Sequence, residues 1–146
     1  MNLATHDAIV SGVLSAVQAG WPDVVACTTV GTMYREPGDL PWCYIRIASI
    51  ETTENGTVTD YEILNRFEIT GRFTATDDAT AQYAQSLLIA KDIIAELTAS
   101  AVFATYGYLP TVESVIFEPD GVLEGQENIC TFVIVFSVRT QEARLT

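Results

Sequence analysis

The chain has little of what chemistry at a protein site is usually built from. It holds one histidine, His6, and one lysine, Lys91. A lone histidine makes no histidine-rich metal site, and no nucleophile and base pair accompanies it as a hydrolase would need. Three cysteines, Cys27, Cys43 and Cys130, each fall in an apolar, strand-like run with no CxxC spacing. They read as buried thiols and not as a disulfide framework, which wants an even count. Neither GxxxxGK[ST] nor GxGxxG occurs, so no phosphate-cradling loop is expected, and Gly107 and Gly121 stand outside any such pattern. The first residues, Met1 to Asp7, show no basic stretch leading into an apolar core, and no apolar run approaches the roughly 18 residues of a membrane span. Folding in the cytosol is the expectation. Bases are scarce too. Seven stand against 19 acids, a net charge of −12, and a phosphate backbone repels such a chain, which argues against simple nucleic-acid binding.

What is present is hydrophobic pattern. About half of the 146 residues are apolar, enough for one globular domain with a real core. The organising stretch is Trp42 to Ala75, which reads as a long β-hairpin. Its second arm alternates Tyr61, Ile63, Asn65, Phe67, Ile69, Gly71 and Phe73 with Glu62, Leu64, Arg66, Glu68, Thr70 and Arg72. A period of two with one apolar and one mostly charged face is a half-buried strand. The first arm runs Trp42–Ile50, and Asn55-Gly56 in the tip supplies the positive φ angles a tight turn requires.

Around the hairpin the chain alternates helix and strand. Thr5 is placed to cap a helix from His6, with Asp7 in its first turn, and Ile9, Val10, Val13, Leu14 and Val17 form its stripe. Gly20 followed by Trp21-Pro22 ends it. Val24–Val30 reads as a first strand. Thr76-Asp77-Asp78 opens a second, longer helix whose predicted stripe is Tyr83, Leu87, Ala90, Ile94 and Leu97, widened by Ala84 and Leu88. Two closing strands follow, Thr111–Glu118 and Ile129 to about Thr140, the latter largely apolar on both faces and so central in its sheet. Residues 141–146 read as a loose tail. The expectation is a single α+β domain over 1–146. It would have a mixed or antiparallel sheet of about five strands and two main helices packed on one face.

Three groups of side chains stand out as candidate sites, none of them catalytic or metal-binding. Asp77 and Asp78 are accounted for by capping. Glu51, Glu54 and Asp60 gather at the hairpin tip, where carboxylates are solvated and lack the burial that acid–base work needs. Met33, Tyr34 and Arg35 lie in a loop between Gly31 and Pro41, either as contact residues or as cover for the core edge. Glu62, Arg66, Glu68 and Arg72 alternate in sign along one strand face, an ordinary solvated sheet or a polar contact with a second copy. With the doubly apolar last strand, the second reading is preferred, and the sheet is expected to be covered in part by a neighbouring subunit.

The order of elements resembles that of tail-terminator (tail-completion) and related neck proteins of long-tailed bacteriophages. Tyr61–Ile69 and Phe132–Arg139 carry the likeness, together with the short first helix, the hairpin with an acidic tip and the long alanine-rich helix. The resemblance is of pattern over nearly the whole chain, without an invariant motif. It implies a non-catalytic virion protein without cofactors, located in the tail or neck and assembled in the host cytoplasm. Such proteins form rings, typically hexamers, that cap the tail tube and meet the head connector while DNA passes through without specific binding. On that reading Glu51, Glu54, Asp60, Asp120, Glu124 and Glu127 are candidates for an acidic lumen, and Met33, Tyr34 and Arg35 for the tube or connector contact. A head–tail stopper or tail-tube subunit is the alternative within the virion. A cytosolic α+β module with a small-ligand pocket near Trp42 and Tyr106 is the alternative of another class.

Overall fold

Helix α1 spans Leu3–Gly20 because Ile9, Val10, Val13, Ala16 and Val17 recur on one face and are all buried. The coordinates are those of a computed structural model, which describes residues 3–24, 26–28, 41–53, 56–58, 60–74, 79–99, 110–119 and 129–143. α1 starts three residues before the expected His6, so Thr5 lies inside its first turn and does not cap it, and Asp7 lies beyond that turn. Leu3 and Ala4 are good helix formers and simply extend it. At the other end Trp21 N–H donates to Val17 O at 2.8 Å, and the chain turns at Pro22.

The sheet is mixed, in the order β1-β2-β3-β5-β4. Four long strands, β2 (Trp42–Thr52), β3 (Asp60–Thr74), β4 (Thr111–Pro119) and β5 (Ile129–Ala143), make its antiparallel body. The three residues of β1, Ala26–Thr28, add parallel to Trp42–Tyr44. Of the expected Val24–Val30 strand, Ala26–Thr28 are paired and Val24 precedes β1, while Val25, Thr29 and Val30 lie outside the described residues. β5 runs past Thr140, pairing Gln141, Glu142 and Ala143 with Glu62, Tyr61 and Asp60. Residues 141–143 are thus strand and not a loose tail, because β3 is long enough to offer them partners; 144–146 lie outside the described residues.

Alternation sends Cys43, Ile45, Phe67, Ile69, Phe73 and, from β5, Cys130, Phe132, Ile134, Phe136 and Val138 to one face, where they join both helices in a single core. Phe67 and Phe136 face each other across the β3–β5 ladder and stack at 5.3 Å, 13° from parallel. Trp21 packs on Phe73 and Phe132 with centroids at 6.1 and 5.5 Å. Gly71 makes room for that cluster: a β-carbon there would run into the Phe132 ring and come within 2.9 Å of Trp21. Asn65 is the polar exception on this face. It is fully buried, its Nδ2 donates to Val138 O and Thr140 Oγ1 at 3.0 Å each, and its Oδ1 meets no donor.

Helix α2 spans Ala79–Ala99; the capping residues expected for it, 76–78, lie outside the described residues. Its buried stripe is Ser86, Ala90, Ile93 and Leu97. This corrects the expected stripe. Ala90 and Leu97 face inward and Ile94 is half-buried, but Tyr83, Ala84, Leu87 and Leu88 are exposed. The helix is rotated relative to the expectation because it seats Ile93 against the core, and because α1 crosses it closely. A β-carbon on Gly20 would lie 2.8 Å from the Asp92 carbonyl carbon and oxygen and from Ile93 Cα. No described helix is long and apolar enough to cross a membrane.

Candidate interaction face

The face of the sheet turned away from the helices is covered by no other element among the described residues, and it is where the charges of β3 gather. Two β-bulges build it. In β2 the register steps from Ile47–Phe67 to Ser49–Arg66, leaving Ala48 unpaired. That extra residue inverts the strand, so Glu51 points to the helix-free side and not into the core. In β4 the register steps from Val112–Phe136 to Ser114–Val135, leaving Glu113 as the extra residue. Both re-aimed carboxylates converge on Arg66, Glu51 at 3.0 Å and Glu113 at 3.1 Å. Hydrogen bonds that Arg66 donates to Glu113 and then to Glu51, reinforced by their charges, raise its pKa above the ordinary value.

Further pairs extend the row along the sheet. Arg46 Nε meets Glu68 Oε2 at 2.5 Å across the β2–β3 pair, and that hydrogen bond, with the carboxylate's charge, raises the Arg46 pKa. Arg139 of β5 meets Glu62 at 3.3 Å, and Glu62 also accepts from Thr53 Oγ1 at 2.7 Å. Arg72 donates through Nε to Thr131 Oγ1 at 3.0 Å. Between these ion pairs lie apolar side chains: Val133 and Val135 of β5, half-buried, and Ile116 of β4, 45% exposed and opposite Val133. Each pair is at most partly buried and individually worth little. Collectively they set the charge of the face.

Four of the seven bases in the chain stand here, among Glu51, Glu62, Glu68 and Glu113. These four bases and four acids offset one another, and the rest of the sequence holds three bases against fifteen acids. The structure therefore brings Glu62, Arg66, Glu68 and Arg72 onto one face, engaged within the chain. It moves Glu51 out of the expected solvated tip cluster and into the ladder. Asp60 begins β3 at the tip end, its N–H bonded to Thr57 Oγ1 at 3.0 Å. Met33, Tyr34, Arg35, Glu54, Asp120, Glu124 and Glu127 lie outside the described residues.

A second patch has no counterpart in the sequence reading. On α2, Tyr83 is 55% and Leu88 60% exposed, with Leu87 beside them. The signal for it was present: Leu87, Leu88, Ile89, Ala90, Ile93, Ile94 and Leu97 are more apolar residues than one buried stripe can take in. Nothing in the pattern said which of them the core would leave out.

No protein-family model matches the chain, and no curated protein matches it. Among solved structures the chain is similar to one chain described as "Virion of native gene transfer agent (GTA) particle", at 14% identity and a TM-score of 0.49, covering 97% of this chain and 100% of that one. At that depth the likeness carries no argument about function.

Proposed function

We propose that this chain is a non-catalytic structural protein of a phage-type virion, a tail terminator whose copies close into a ring that caps the tail tube and joins it to the head connector. The observation that carries the reading is the segregation of charge. Copies of a chain with net charge −12 repel one another over most of their surface. The ion pairs of the ladder face compensate one another, and the face is apolar at its centre and close to the size an interface requires. Three strands at about 4.8 Å spacing over the eleven residues from Glu62 to Arg72, with β4 alongside from Arg66 to Arg72, give a face of roughly 650 Å². A stable interface takes about 800 Å² from each partner. The acid-rich remainder then suits the wall of a passage through which DNA slides without sticking.

The test is mass by light scattering over a concentration series in low and moderate salt. A species of about six subunits, or a monomer that climbs to one, is expected. Moderate salt should favour it, because screening relieves repulsion between copies. Binding of that species to tail tubes separates a terminator from a stopper. A concentration-independent monomer that neither assembles on tail tubes nor binds them would overturn the reading. If that monomer gains heat stability from a small molecule, the ligand-module alternative takes its place.

A further inference from the structure

We infer that the exposed flank of α2 is the complement of the ladder face, so that the α2 of one copy docks on the helix-free sheet of the next; the inference rests on the ring reading above. At about 100° per residue, Ala84, Leu87, Leu88, Lys91 and Ala95 lie between a quarter and a half turn from the buried stripe, and all are exposed. This flank holds no acid. Asp92 and Glu96 fall on the opposite side of the helix, the side on which Gly20 of α1 approaches the Asp92 backbone. The flank therefore looks away from α1, and Tyr83, whose ring meets Phe117 of β4 edge-on at 5.3 Å, sets it above the β4 margin. In an acid-rich chain, an apolar strip whose one charge is a lysine is the surface that another acidic copy can approach.

Its partner is identified by area and by charge. The 21 residues of α2 make a rod of about 31 Å, which lies within the length of the ladder face. Leu87 and Leu88 offer apolar contact to Ile116, Val133 and Val135, the uncharged centre of that face. Pairing two sheet faces about a two-fold axis would desolvate both ladders and leave both α2 flanks in water. Docking helix on sheet desolvates one ladder per contact and covers both patches. The patches lie on different layers of the molecule, so the contact is heterologous. It passes from copy to copy and closes only as a ring, where a two-fold contact would stop at a dimer.

The experiment uses two single variants, Leu88→Asp and Ile116→Asp. Both positions are exposed, and unchanged thermal melts establish that both variants fold. Each variant alone is expected to sediment as a monomer under conditions where the wild type assembles. Mixed in equal amounts they should form a species of two subunits and nothing larger, because the intact sheet of the Leu88 variant receives the intact α2 of the Ile116 variant. If the Leu88 variant assembles like the wild type, or the mixture stays monomeric while the wild type assembles, this inference is overturned and the ring stands. A wild type that never assembles, with or without tail tubes, overturns both.

Discussion

Replacing Asn65 by aspartate alters the side chain by one atom's identity and leaves its volume almost untouched. Its two amide hydrogen bonds, to Val138 O and Thr140 Oγ1, lose their donor. A carboxylate would then sit at a position with no solvent exposure, facing a carbonyl oxygen. Ionisation is so costly there that the carboxyl group takes up a proton instead, its folded pKa raised far above the unfolded value of about 3.9. That escape sets the size of the effect. Holding the group protonated at pH 7 costs ~1.4 kcal/mol for each of about three pH units, so ~4 kcal/mol. A lost neutral hydrogen bond adds ~1 kcal/mol. The penalty is present above the unfolded pKa and fades as pH falls towards it, so the gap to wild type should be ~5 kcal/mol at pH 7 and ~1 kcal/mol near pH 4. In melting temperature this is about 20 °C narrowing to about 4 °C, at roughly 4 °C per kcal/mol for a domain of this size. Asn65→Leu is the contrast. It removes the donors but also the orphaned Oδ1, so it should cost no more than about 1–2 kcal/mol and show no such pH dependence. Melts of the three proteins from pH 4 to 7 decide the matter. An aspartate variant as stable as wild type at pH 7, or a gap that does not narrow in acid, would refute the dry, donor-poor site on which the reasoning depends.

Other perturbations have expected outcomes of their own. Gly71→Ala pushes a methyl group into the Phe132 ring, itself fully buried beside Trp21, and should cost about 1–3 kcal/mol in denaturant unfolding. Gly20→Ala gains helix propensity but drives its β-carbon into the backbone at Asp92 and Ile93; a melting temperature below wild type is expected, and a rise would mean that the helices do not cross there. Arg66→Glu places three carboxylates together at the bulges, so it should weaken self-association by light scattering and make the melting temperature more sensitive to salt. The raised pKa values of Arg46 and Arg66 point to a stability contribution that is full below the unfolded arginine value and lost only above the folded one. No loss of melting temperature traceable to the ladder is therefore expected between pH 7 and 10, and comparison of wild type with Arg66→Glu over that range checks it.

The α+β class was legible because strands and helices in this chain keep their own periods. The alternation through β3 gave its buried face, Ile63 to Phe73, residue for residue. The same alternation separated Glu62, Arg66, Glu68 and Arg72 onto the other side, where they stand. What it could not give was their partners. Glu51 sits on the core-side parity of β2, and only the unpaired Ala48, which no local pattern announces, turns it to Arg66. Glu113 reaches the same guanidinium through a second bulge. On α2 the excess of apolar residues concealed the true stripe, which includes Ser86, a residue that periodicity counts as polar. The rotation of that helix is fixed by tertiary contacts, Gly20 against Asp92 and Ile93 in the core, and such contacts are not written in a local window.

One consequence lies in the order of synthesis. β5 is the last of these strands to leave the ribosome, yet it pairs with β3 along fifteen residues and with β4 on its other side. Until it arrives, β3 and β4 are not neighbours at all, and each presents an open row of backbone donors and acceptors. Every contact between β3 and β5 spans more than fifty residues of chain, so loop closure must be met before the ladder can repay it. The growing chain thus lacks the link between β3 and β4 until β5 is free. The sheet cannot be completed before Ile129–Ala143 has left the exit tunnel.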